Sequence, residues 1–167
     1  METPNFCFVS LSRYFTEKVC EKLSKSLELF YANADVLIDF ELMDTKKFED
    51  LCGKDTLESI EKKILGRACK YENTLISLDS KRLVNEENLS IIKKNCIVFY
   101  LELSLDRYKL ALSEELGLSE DLITIPQDLF DNRNARAKEV SDIVIDCKDI
   151  EIDALVKKIT DNLKDME

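Results

Sequence analysis

The chain contains no histidine, and only three glycines and two prolines in 167 residues. Without an imidazole to move the proton, Ser-His-Asp and Cys-His catalysis are excluded. Basic residues are also outnumbered, 24 against 34 acids, which leaves a net charge of −10. Nucleic acid needs a basic face, and so do anionic membrane surfaces, so neither is an expected partner. No apolar run approaches the roughly 18 residues of a membrane-spanning helix. The opening stretch, METPNFCFVS, lacks the basic region and long apolar run of a signal peptide, and the cytoplasm is the expected address. Six cysteines are present (Cys7, Cys20, Cys52, Cys69, Cys96, Cys147), without a C-x-x-C pair. Most fall inside apolar segments, which predicts buried, reduced thiols rather than disulfides or a metal site.

What is present is an alternation of strand-like and helix-like patterns from end to end. NFCFVS (5–10), LELFYA (27–32), NTLISL (73–78), CIVFYLEL (96–103) and SDIVIDC (141–147) read as strands. Between them, helical spacing covers 14–25, 35–43, 44–53, 55–71, 85–95, 104–116 and 126–140, and a last helix spans 151–163. Several strands are apolar on both faces, as in a parallel sheet covered by helices on both sides. The expected fold class is therefore α/β: one three-layer α/β/α domain, residues 1–167, around a five-stranded parallel sheet. In such folds ligands bind beyond the carboxyl ends of the strands, which directs attention to the turns after Ser10, Ala32, Ser77 and Leu103.

The first of these turns, read as Ser10 to Thr16 in FCFVSLSRYFTEKVCEKL, stands where a phosphate loop would be and has no glycine. Further along, NCIVFYLELSLDRYKLAL and RNARAKEVSDIVIDCKDIEIDALVKKI carry the strand, helix and spacing of a known family. With FEDLCGKDTLESIEKKIL and LISLDSKRLVNEEN between them, the chain resembles shikimate kinase over almost its whole length, in pattern and spacing rather than identity. The resemblance implies a P-loop kinase-like fold. It also implies an ancestral chemistry, transfer of the γ-phosphoryl of ATP to a shikimate hydroxyl, which depends on positioning and charge neutralisation.

Station by station, the residues that chemistry needs are missing. G-x-x-x-x-G-K-[ST] is replaced by SLSRYFTEK, in which Leu11, Tyr14 and Phe15 cannot supply glycine's close approach to phosphate. Lys18 falls a turn inside the helix, and Arg13 is the nearest cation to the helix N-terminus; both are weak candidates for cofactor binding. The family's D-x-D after the second strand corresponds to Ala32-Asn33-Ala34, with Asp35 one residue beyond. Glu58 takes the place of an arginine that pairs with the acceptor carboxylate, and Asp79-Ser80-Lys81 that of a triple-glycine turn. The lid segment 113–127 carries Glu114, Glu115, Glu120 and Asp121 and no basic residue. Arg133 alone stays in register with an arginine that holds the acceptor.

These readings predict a shikimate kinase-like pseudoenzyme with no catalytic residues, no metal site and no cofactor. It would act through a protein partner, self-association or a ligand, with Leu11, Tyr14 and Phe15 either lining a vestigial cleft or packing the core. The alternative is an atypical small-molecule kinase. It would bring Arg13, Lys18, Lys81 or Arg133 to the phosphates of ATP, and Asp35 or Asp79 to magnesium. A third possibility is a sensor of a neutral or cationic ligand.

Overall fold

The computed structural model describes residues 4–43 and 45–165. Five strands form one parallel sheet: β1 (Asn5–Ser10), β2 (Phe30–Asn33), β3 (Thr74–Asp79), β4 (Cys96–Glu102) and β5 (Ile143–Asp146), in the order β2-β3-β1-β4-β5. Among the described residues eight α-helices connect and cover them: α1 (Arg13–Ser26), α2 (Ala34–Leu42), α3 (Thr45–Cys52), α4 (Lys54–Ala68), α5 (Glu86–Asn95), α6 (Leu105–Leu116), α7 (Gln127–Val140) and α8 (Ile152–Lys164). The three-layer α/β/α architecture expected from the alternation is the one found. Among the described residues no helix is long and apolar enough to cross a membrane.

The core follows from strand composition. β1 is central, and Cys7, Phe8 and Val9 are fully buried because both faces meet helices. Its register with β4 sets Phe8 opposite Phe99, where the rings stack at a centroid distance of 4.7 Å. Phe6 meets the same ring edge-on at 5.7 Å. Helices pack on both sides of this seam, α1 against α8 and α4 against α5. The Asn5 side chain ties α4 to β3. Its amide donates to the carbonyls of Cys69 and Tyr71, and its oxygen accepts from the Thr74 N–H.

Five cysteines are buried free thiols, as the apolar settings predict, whereas Cys52 is exposed at the end of α3. Gly53 follows it with φ +85°, a left-handed conformation that glycine adopts without strain, and the stop expected there is present. Asp44, read as the start of that helix, lies outside the described residues.

Three boundaries differ from the sequence reading, each for a local reason. β2 begins at Phe30, not Leu27, because the Leu27 N–H still closes α1 onto Leu23 and Glu28 turns the chain with φ 56°. A 3-10 turn over Ser80–Val84, unseen in the pattern, follows β3 and is started by the Asp79 side chain accepting from the Lys81 N–H. The third difference is at the first turn. Only Leu11 and Ser12 separate β1 from α1, so the turn is far shorter than the stretch 10–16.

Candidate functional site

The β1–α1 turn is closed by three buried hydroxyls. Ser10 Oγ accepts the Ser12 N–H at 3.0 Å and donates to the Ser12 carbonyl at 2.7 Å. Ser12 caps α1 by accepting the Phe15 N–H at 3.1 Å, and its carbonyl takes the Thr16 N–H. The Thr16 hydroxyl reaches Ser10 Oγ at 2.8 Å and completes the knot. Ser10, Ser12 and Thr16 are all at most 1% exposed. The first-turn amides of Phe15 and Thr16 are thus directed at the protein itself. Leu11 and Phe15 are both buried in the core cluster; Phe15 also forms part of the wall of the cavity that Lys18 faces, with Arg107 5.0 Å over its ring. Tyr14 is half-buried, with Lys18 Nζ 4.2 Å over its ring.

Below this turn a cleft of about 530 Å³ opens among α2, α4 and the 3-10 turn. Arg13, Asp35, Glu58, Glu61, Asp79 and Lys81 are among its lining residues. Its organising group is Arg82, which reaches from the 3-10 turn to two helices. Arg82 Nε donates to Asp35 Oδ1 at 2.6 Å, and its Nη1 pairs with Glu61 on α4. The second Asp35 oxygen accepts the Asp79 N–H at 2.7 Å. Asp35 is 2% exposed, so burial pushes its carboxyl above the usual aspartate range, and the Arg82 guanidinium offsets only part of that shift. Nearby, Asn88 donates to the Arg82 carbonyl, while its Oδ1 is the buried side-chain oxygen that has no partner among the described residues.

The cations singled out in the sequence are dispersed. Arg13 lies at the rim of the cleft, held at 2.8 Å by both Glu17 and Asp39. Lys18 faces a different cavity, of about 510 Å³, and pairs with Glu114 at 3.0 Å. Arg133 lines a third and smaller one, of about 200 Å³, beside the Tyr108 phenol. Lys81 lines both the first and the third. Asp35 does enter the cleft, but by the helical path of α2 rather than at the end of β2, where Asn33 instead caps α2 through the Val36 N–H. Glu58 lines the same space 3.8 Å from Lys54. Among the described residues no three acidic or cysteine side chains are grouped to hold a metal ion.

Arg82 and Glu61 were missed by sequence reasoning. Arg82 pairs with residues 47 and 21 positions away, and nothing local marks it apart from its place just past β3. A further paired carboxylate stands at the same carboxyl end of the sheet, on the other side of β1. Glu102, at the end of β4, receives Lys138 at 2.5 Å and the Asn134 amide at 3.3 Å. Burial pushes its carboxyl up, but those two partners outweigh burial and bring it below the usual glutamate range.

An all-parallel sheet ordered 2-3-1-4-5, with helices on both faces, defines a P-loop kinase-like fold. The structure superposes on shikimate kinase from Acinetobacter baumannii in complex with shikimate with a TM-score of 0.79 at 15% identity, over 98% of this chain and 94% of that one. Shikimate kinase from Aquifex aeolicus gives a TM-score of 0.74 at 18% identity, over 96% of each chain. The model of the shikimate kinase family matches residues 18–164. The chain belongs to the shikimate kinase family. Among curated proteins, shikimate kinase of Caldicellulosiruptor bescii is 29% identical over 83 residues, 50% of this chain and 46% of that protein. One from Oceanobacillus iheyensis is 34% identical over 67 residues, 40% of this chain and 37% of its own length. The aligned stretches thus span less than half the length of these relatives.

Proposed function

We propose that this chain is a shikimate kinase-like pseudoenzyme that does not transfer phosphoryl groups and acts by contact with a protein or a ligand. The observation that carries this reading is the two-residue β1–α1 turn, whose hydroxyls bond one another and take the Ser12 and Phe15 amides. A nucleotide's phosphates need a ring of backbone N–H groups open to them and a lysine at their end. The residues present do not fit that group: the turn is too short to encircle a phosphate, and Lys18 is on another side of α1 with Glu114. On the acceptor side, Glu58 lines the cleft where a carboxylate ligand would need a cation. A cytoplasmic address goes with this reading.

One observation favours the alternative, an atypical kinase acting on shikimate or a similar metabolite with ATP and magnesium. Arg13, Lys81, Asp35 and Asp79 line a single cleft, so two cations and two carboxylates share one space. The two readings part in a coupled assay of ADP release with magnesium, ATP and shikimate. The pseudoenzyme gives no release above the protein-free rate while an intact shikimate kinase run alongside is active. Turnover proportional to the amount of this chain would overturn it.

A further inference from the structure

The sheet ends at β2, which has a strand on one side only. Beside this free edge, α2 and the end of α4 form a groove of about 470 Å³. Its walls are apolar and wet: Phe30 is 64% exposed, Phe40 81%, Tyr71 60%, Val36 48% and Leu37 44%. Phe30 and Tyr71 already lie 6.2 Å apart, the start of an aromatic face. An exposed strand edge with apolar flanks is a template for pairing, and folded chains ordinarily blunt it with charge or proline. Here neither is used on β2, whose sequence is FYAN.

We infer that this face is the interface of a two-fold homodimer, with Phe40 of each protomer seated in the groove of the other. Area, charge and symmetry select a second copy as the occupant. The five side chains leave on the order of 550 Å² of apolar surface in water, at the upper limit for a monomer's largest patch. That is about two thirds of the ~800 Å² that each partner of a stable complex commonly contributes. The chain as a whole carries −10, yet this groove is lined by one acid, Glu41, and one base, Arg67. A partner recruited by charge would find the acidic surface elsewhere. Opposite charges on one patch, by contrast, complement themselves about a two-fold axis, Glu41 of one protomer facing Arg67 of the other. The axis also brings two β2 edges together antiparallel.

The inference names the partner for the contact role proposed above and rests on that reading. Sedimentation velocity over a concentration series on the full chain tests it. The expected result is a species of twice the 19.3 kDa chain mass that builds up with concentration. Added salt strengthens it, because screening removes the repulsion between two acidic chains. Phe40→Glu, at a position too exposed to disturb folding, raises the dissociation constant at least ~30-fold with an unchanged circular dichroism spectrum. E41R and R67E each weaken the dimer, and E41R/R67E together restore it. A wild-type chain that stays monomeric up to about 100 μM, far above a micromolar dissociation constant, overturns the inference. So does a dimer indifferent to Phe40→Glu, or a double reversal that rescues nothing. ATP binding is read separately: a monomer that binds no ATP refutes the dimer alone, and a dimer that turns ATP over refutes the pseudoenzyme.

Discussion

The β1–α1 turn and the Arg82 cluster are held by opposite chemistry. At the β1–α1 end, three neutral hydroxyls fill the turn and bond to each other and to the backbone around them. In the cluster, Asp35, Arg82 and Glu61 form a charged chain that joins β3's outgoing turn to α2 and α4. A neutral knot closes without water and costs little, each hydrogen bond contributing about 1 kcal/mol net. A charged chain cannot collapse in that way, since every ion must keep partners and some hydration. So the turn's hydroxyls are part of the core while the charged chain lines a cleft. The contrast shows that neutral groups can be absorbed by packing where charged ones stay open.

The contrast can be broken most severely at Arg82. Replacing it by methionine in Arg82→Met leaves Asp35 buried beside one N–H donor, and we expect a loss of about 3 kcal/mol in urea unfolding. Asp35 already has a raised carboxyl, and without the guanidinium it rises further. The folded variant then holds that proton more tightly than the unfolded chain. Its stability therefore declines as pH rises through the Asp35 value. A loss below about 1 kcal/mol would mean that water, not Arg82, carries the charge.

The hydroxyl knot gives a smaller effect. Ser10→Ala orphans the Ser12 N–H in a fully buried place, while the Ser12 carbonyl keeps the Thr16 N–H and hydroxyl, for an expected cost of about 1–2 kcal/mol by thermal or urea unfolding. Such a cost is what a structural turn shows; a turn kept open for anions would be nearly indifferent to the change.

Glu102 sharpens the comparison through pH rather than magnitude. Its carboxyl sits below the usual range, so its stabilisation is whole above about pH 4.3 and is lost as pH falls through the lowered value. Glu102→Gln should flatten that acid limb, with a loss at neutral pH under about 1 kcal/mol because Lys138 is 43% exposed. Smallest of all is Arg13→Gln. Both of its ion pairs are part-exposed, and a change of no more than about 0.5 kcal/mol is expected in the same unfolding measurement.

Much of the scaffold was legible because it rests on local patterns. CIVFYLEL announced a strand buried on both faces, and the helical spacing of 55–71 placed α4 to within a few residues. The length of the first turn was not legible. It depends on Ser10 and Thr16 meeting across a helix start, and a six-residue separation with hydroxyl partners has no periodic signature. Asp35 shows the other limit. Counted along an extended strand it misses the cleft by one position, but Asn33 begins a helix there, and the first turn of α2 swings the carboxylate inward. The Arg82 bridge was invisible for the same physical reason, being made entirely of contacts distant in sequence.

The most direct test of the closed turn is the heat of binding of magnesium–ATP to the purified chain, repeated in the presence of shikimate. A pseudoenzyme gives no saturable heat at millimolar nucleotide in either titration. Saturable, magnesium-dependent binding that weakens in Arg13→Gln or Lys18→Gln would contradict it and show that the β1–α1 end still receives phosphates.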